Sequence, residues 1–380
     1  MIHLAVPNLE GKEREYLNRC IDTTFVSSVG EFVNKIEEMS ANVCCSKKAV
    51  ATSCGTTALQ MALMGCGVNP GDIVIIPSFT FIATANAVSH CGAKPWLLDI
   101  DKDSWTLDVE QLKYEIENNT EFENDILIHK ETKRKVAAVM PVYTMGNVAN
   151  MDEINEIAKR YKLPVIADAA CAIGAEYKGR KIGELADLSA LSFNGNKTVT
   201  AGGGGIVLGN DENVLKLIKH LSTTARVTSE YDFDMVGYNY RMTNIQAAVG
   251  CAQLERVDEL VNKKRYIRDF YKKEFEMYED IDLFPNPEYQ NSACWFSGVV
   301  LKSGGIENVR EICNKLREKD IEARSFWKPV HMQKPYFDAI KASDLSVTES
   351  LWDKIVTLPC STGITDDELS TVSEAMKEIL

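Results

Sequence analysis

With 380 residues, 45% of them hydrophobic, the chain can bury a large core and is long enough for two domains. Its formal net charge of -13 argues against a nucleic-acid surface as its main business: phosphate binding needs clustered Lys and Arg, and the short run Lys133-Arg134-Lys135 follows an acidic stretch from Glu121 to Asp125. Eleven cysteines, an odd number at irregular spacing and mostly inside apolar runs, read as core residues of a reducing compartment, and five scattered histidines offer no metal site.

The start, Met1-Ile-His-Leu-Ala-Val-Pro7, lacks the charged-then-apolar pattern of a signal peptide, and no apolar run could span a bilayer, so a cytoplasmic protein is expected. A helix is predicted from Glu10 to Asp22, an irregular segment from Thr23 to Gly30, and an amphipathic helix from Glu31 to Asn42. Ala49–Ser53 then reads as a strand, Cys54-Gly55-Thr56-Thr57 as a turn, and Ala58–Met64 as a helix. Such a junction presents free backbone N–H groups and a positive dipole end to a phosphate, although many strand-Gly-helix junctions hold no ligand. Ile73–Pro77 is a further buried strand leading to Phe81 at the start of a helix, Ile82–Ser89; an aromatic ring there can stack on a flat heterocycle or simply pack in the core.

Strands follow at Pro95–Asp99 and Val136–Val142, with helices at Asp108–Glu117 and Asp152–Tyr161, and the polar stretch Asn118–Lys135 between them reads as a surface insertion. Leu163–Cys171 is a short buried strand ending in Asp168, which either caps the next element or points into the crevice beyond the strand ends, where ligands of open α/β sheets bind. The next such stretch, Leu191 to Gly205, holds Lys197 in a glycine- and amide-rich turn flanked by Phe193 and Val199. A partly desolvated lysine can lose its proton near neutral pH and attack a carbonyl, which is the amine that pyridoxal 5'-phosphate requires. A carboxylate such as Asp168 would keep that cofactor's pyridine nitrogen protonated. Gly202 to Gly205 lead into a strand, Ile206–Leu208, and not a helix, so they fail as a dinucleotide fingerprint.

The alternation of strand and helix from about Lys48 to Leu221 predicts an α/β fold with a mostly parallel sheet covered on both faces. A long amphipathic helix is predicted from Ile245 to about Phe275, as the spine to a smaller C-terminal domain. That domain holds a strand near Trp295–Leu301 and helices near Glu307–Lys319 and Asp366–Ile379. Its aromatic, basic loop Arg324–Tyr336 suits a substrate mouth or a domain interface.

Four stretches carry a resemblance over nearly the whole chain: Val26-Ser-Ser-Val-Gly30, Ser192-Phe-Asn-Gly-Asn-Lys197, Gly237-Tyr-Asn-Tyr-Arg-Met-Thr-Asn244 and Phe326-Trp-Lys-Pro-Val-His331. In this order they resemble the sugar aminotransferases of the DegT/DnrJ/EryC1/StrS family. The resemblance implies the type I pyridoxal-phosphate aminotransferase fold, with a large cofactor-binding domain over 1–244 and a small α/β domain over 245–380. It implies transfer of an amino group from L-glutamate to the C4 ketone of a UDP- or GDP-linked 4-keto-6-deoxy sugar, for a bacterial surface glycan. The chain looks most like the enzymes that act on the N-acetylated sugar toward legionaminic acid or bacillosamine, and the perosamine synthases share several of the same stretches.

Carried over by position, the resemblance implies that Lys197 bonds the cofactor as a Schiff base and then shuttles a proton. Asp168 binds the pyridine nitrogen, Gly55, Thr56 and Ser192 hold the phosphate, and Phe81 lies on the ring. Asn239, or Arg241 in the same segment, reaches toward the phosphate from the second subunit of a homodimer. Asn194 matches a position near the cofactor, and His331, with Trp327 in the same stretch, one near the sugar; for Asn194 and His331 a structural role is an equal reading. The chain departs from the family at Cys171, where glutamate, glutamine or histidine is usual beside the cofactor ring, and at Cys54 in the phosphate turn. Three rivals are weighed: the family's dehydratase branch, disfavoured because it has histidine in place of the lysine, a non-catalytic relative, and a dinucleotide oxidoreductase.

Overall fold

The computed structural model describes residues 1–380. Its large sheet runs, in spatial order, through Lys48–Thr52, Gly205–Gly209, Leu188–Ser192, Ile166–Asp168, Val136–Val139, Ile73–Pro77 and Lys94–Leu98, with Ile340–Lys341 at the far edge. Parallel bridges from Val139 to Val165 and from Val142 to Asp168 join its two halves. Gly205–Gly209 alone runs against the others, because it returns directly from the Lys197 turn without a crossover helix.

Alternate residues of the same strands enter two different cores, as the period of a strand requires. Val50, Val74, Ile76 and Val207 face the helices Gly55–Gly65, Ile82–His90 and Glu212–Ser222. Ala51, Ile73, Ile75 and Ile206 face Glu31–Cys44, Val109–Asn119, Met151–Arg160 and Asn244–Leu254. Burial on both faces explains why these strands read as continuous apolar runs. The smaller unit is an antiparallel sheet in the order Ile281–Leu283, Ser297–Leu301, Ile355–Leu358, Arg324–Ser325, packed on the helices Ile306–Glu318 and Asp366–Ile379.

Three details differ from the sequence expectation. The spine is two helices, Asn244–Leu254 and Val257–Phe275, broken at Glu255 and Arg256, where the Arg256 guanidinium clamps Glu259 at 2.6 and 2.9 Å and reaches Asn8 at 3.0 Å. The break lets Ala248 and Cys251 join the large core while Ile267, Tyr271 and Phe275 join the small one. The Asn118–Lys135 stretch is no plain loop: Thr120–Glu123 and Ile126–His129 form a hairpin turned by Asn124 and Asp125, at φ 50° and 64°. Two central residues at positive φ are what the favoured hairpin turn requires. The first helix begins at Glu13. No helix is long and apolar enough to cross a membrane.

Candidate active site

Five strands of the large sheet deliver residues from their carboxyl ends into one cavity of about 310 Å³. Cys54, Gly55 and Thr56 follow the first, Phe81 the second, Val142 the third, Asp168 ends the fourth and Ser192 the fifth. Gly203 and Gly204 close one side, and Trp295 and Trp327 come from beyond the spine.

Lys197 stands at the tip of a loop pinned by its own backbone: the Phe193 N–H donates to Gly204 at 2.9 Å, the Ala201 N–H returns to Phe193 at 2.9 Å, and the Lys197 N–H donates to Asn194 at 3.0 Å. Phe193 and Val199 are fully buried and anchor the loop ends, leaving the lysine to enter the cavity. Its Nζ lies 3.2 Å from the Cys171 Sγ and 3.7 Å from the centroid of the Trp295 ring, where a cation is attracted to the ring face. The Trp295 indole N–H in turn donates to the Asn196 carbonyl at 2.8 Å, fixing ring and loop together.

Asp168 is buried, with Oδ2 accepting from the Thr84 hydroxyl at 2.7 Å and Oδ1 from the Ala170 N–H at 3.1 Å. Burial pushes its carboxyl above the usual range, opposed by the Thr84 and Ala170 donors and by the nearby Lys197 charge. Burial likewise pushes the Cys171 thiol up, and the Lys197 charge pulls it back. The third feature is the start of the helix Gly55–Gly65, whose first-turn N–H groups have no intrahelical acceptor. Gly55 is packed so closely that a Cβ there would lie 2.8 Å from the Ser192 Cβ, bringing the Ser192 hydroxyl beside the open helix end.

The structure brings Gly55, Thr56, Phe81, Asp168, Cys171, Ser192, Asn194, Lys197 and Trp327 to this cavity. Phe81 is half exposed and lies 5.9 Å from the Trp327 ring. Asn239 is exposed, bridges Thr223 and does not line the cavity of its own chain. Arg241 is not free to reach another subunit: it is buried and donates to Glu37 at 2.6 Å and to the Ala51 carbonyl at 2.9 Å. His331 stands outside the cavity lining, its Nδ1 2.7 Å from the Ser78 hydroxyl and its Nε2 3.2 Å from Glu349. Sequence reasoning missed Thr84 and Trp295. Thr84 sits one helical turn beyond Thr80, and its hydroxyl links the Thr80 hydroxyl to Asp168. Trp295 comes from 99 positions beyond the carbonyl it binds, and no local pattern marks it.

An open helix end for a phosphate, a buried carboxylate for a ring nitrogen and one amine for an aldehyde fit pyridoxal phosphate, and together with the sheet they define a cofactor-dependent enzyme of the type I aminotransferase fold. Comparison with known proteins agrees: residues 7–377 match the DegT/DnrJ/EryC1/StrS aminotransferase family. The chain belongs to that family and is a pyridoxal-phosphate-dependent sugar aminotransferase. It is 37% identical to the GDP-perosamine synthase of Caulobacter vibrioides, over 100% of this chain and 98% of the relative. It is 28% identical to the UDP-4-amino-4,6-dideoxy-N-acetyl-beta-L-altrosamine transaminase of Campylobacter jejuni, over 100% and 98%. Among solved structures, a family aminotransferase from Brucella abortus superposes with a TM-score of 0.88 at 26% identity, over 97% of this chain and 95% of that one.

Proposed function

We propose that the enzyme moves an amino group from L-glutamate to the C4 ketone of a nucleotide-linked 4-keto-6-deoxy sugar. The observation that carries this reading is the single cavity-facing amine of Lys197, set among strand ends that also present Asp168 and the open helix start at Gly55. Bound pyridoxal phosphate supplies the electron sink for the donor's α-carbon. Asp168, held by Thr84 and the Ala170 N–H, keeps a positive charge on the ring nitrogen. Lys197 Nζ moves the proton in each half-reaction, and Gly55, Thr56 and Ser192 hold the phosphate still. Trp295 and Trp327 exclude water from one side of that amine.

A GDP-linked sugar without the N-acetyl group is favoured over the N-acetylated UDP sugar, since relatives named GDP-perosamine synthase share 33 to 37% of the sequence and those named as UDP-sugar transaminases 28 to 29%. The homodimer is part of the proposal. Phe25, Val29, Tyr231, Phe233 and Val236 are large apolar side chains left exposed on two loops, and Asn239 continues one of them. A second copy covering these loops brings its Asn239 toward the phosphate.

The test presents UDP- and GDP-linked 4-keto sugars, with and without N-acetyl, together with glutamate, and reads product mass. Amination of the GDP sugar is expected; inactivity toward all four would sink C4 amination. Lys197→Ala is expected to abolish both turnover and the visible absorbance of the bound cofactor, and retention of both rejects the assignment.

A further inference from the structure

Cys171 is buried, with 7% of the residue exposed, yet it lines the cavity, and its sulfur touches Lys197 at 3.2 Å. The other cavity cysteine, Cys54, turns instead to the Thr57 hydroxyl at 3.6 Å. A sulfur in contact with the one amine the chemistry needs has a consequence beyond packing. We propose that the Cys171–Lys197 pair is an oxidative modification site, in which hydrogen peroxide joins the two side chains through a sulfur–nitrogen bond and switches the enzyme off. The proposal rests on the reading of Lys197 as the cofactor lysine.

The step balances in two parts. The Lys197 amine takes the thiol proton, the Cys171 sulfur attacks one oxygen of the peroxide, the O–O bond breaks, and the leaving hydroxide takes that proton back as one water, leaving sulfenic acid; sulfur is oxidised by two electrons and the peroxide reduced. The Lys197 lone pair then attacks the sulfur, the S–O bond breaks, and hydroxide leaves with an amine proton as a second water. Two equivalents of a small thiol reverse the bond, returning thiol and amine and forming one disulfide. Nearness favours the second part over further oxidation of sulfur, since the nitrogen already lies in contact. Cofactor bonded to Lys197 removes the attacking lone pair, so the aldehyde-charged enzyme resists linkage while cofactor-free and amine-charged enzyme does not.

The experiment treats the cofactor-free chain with hydrogen peroxide and maps tryptic peptides by mass spectrometry, in parallel with enzyme first loaded with pyridoxal phosphate. The expected product is a pair of peptides containing Cys171 and Lys197, linked with the loss of two hydrogens, restored by dithiothreitol and depleted at least fivefold in the loaded sample. Cys45→Ser, which removes an exposed thiol, is expected to leave the link intact, and Cys171→Ser to remove it. Cys171 oxidised without linkage, a linked pair retaining an extra oxygen, or a link to any other residue overturns the proposal. Borohydride trapping of the cofactor on Lys197 is scored separately: with trapping at Lys197 and no sulfur–nitrogen link, this proposal alone fails. Trapping elsewhere removes the assignment of Lys197 instead.

Discussion

On the proposed role of Asp168 beside the cofactor's ring nitrogen, Thr84→Val isolates the bond that holds its carboxylate. Valine nearly matches threonine in volume at this fully buried position, and what it takes away is the hydroxyl that donates to Asp168 at 2.7 Å. A hydrogen bond to a charged acceptor contributes about 1.5–3 kcal/mol. At about 1.4 kcal/mol per tenfold, its loss weakens pyridoxal phosphate binding roughly ten- to a hundredfold. The lower half of that range is expected, because the Ala170 N–H still serves the other oxygen. The sign of the pH effect follows from burial, which already holds this carboxyl above its ordinary value. The ionised form that pairs with a protonated ring nitrogen is therefore present above that raised value and lost as pH falls through it. Removing a donor to the ionised form raises the value further, so the acid limb of kcat/KM moves to higher pH. The assays are fluorescence titration with the cofactor and a kcat/KM profile against pH. Unchanged affinity with an unmoved acid limb would refute the claim that Thr84 sets the charge of Asp168.

Gly55→Ala places a methyl 2.8 Å from the Ser192 Cβ and is expected to lower cofactor retention on gel filtration at least tenfold, the estimate of one lost charged hydrogen bond. Full retention would mean that the helix start does not hold the phosphate. Trp295→Ala is expected to cost about 3–5 kcal/mol in urea unfolding, the range for emptying a buried aromatic site. Trp295→Phe keeps most of that stability and part of the attraction to the Lys197 cation, about 0.5–2 kcal/mol, so equal losses in the two variants would refute a role for the ring face. Arg241→Met breaks a buried pair with Glu37 and is expected to destabilise by about 3–5 kcal/mol without changing cofactor affinity in the protein that folds. Loss of affinity with an unmoved unfolding midpoint would return Arg241 to the phosphate.

What could be read from the chain is what chemistry writes locally. Apolar runs such as Ile73–Pro77 and Gly205–Gly209 are strands because both faces are covered, and the carboxyl ends of the parallel strands border the crevice, which makes residues there candidates for it. Hence the phosphate-turn reading of Gly55 and the crevice reading of Asp168, beside an equal one as a helix cap, came from position, and that of Lys197 from its turn, whereas Ser192 was implied by the resemblance alone. The hairpin at Thr120–His129 went unread because its turn residues, Asn124 and Asp125, sit among charges that resemble a solvated loop. The spine looked like one helix since its apolar spacing continues past Glu255, and the break depends on Asn8, which the helix pattern does not contain.

Pairings made across the fold come from outside such local rules. Arg241 and Asn239 lie two positions apart in one extended segment, and residue type alone makes the arginine the better phosphate ligand. The backbone decides otherwise, because the segment changes partner between them: Asn239 bridges Thr223 at the surface, whereas Arg241 bridges Thr52 and turns its guanidinium inward to Glu37. A buried guanidinium must be paired, and Glu37 supplies the charge across 204 positions of sequence. His331 is likewise engaged within its own chain, its two ring nitrogens meeting Ser78 and Glu349 outside the cavity lining. Within one chain, the groups free to hold an anion at the cavity are the N–H groups at the start of the helix Gly55–Gly65 and the hydroxyls of Thr56 and Ser192. The arginine that looked available is committed to holding the sheet edge to the helix Glu31–Cys44.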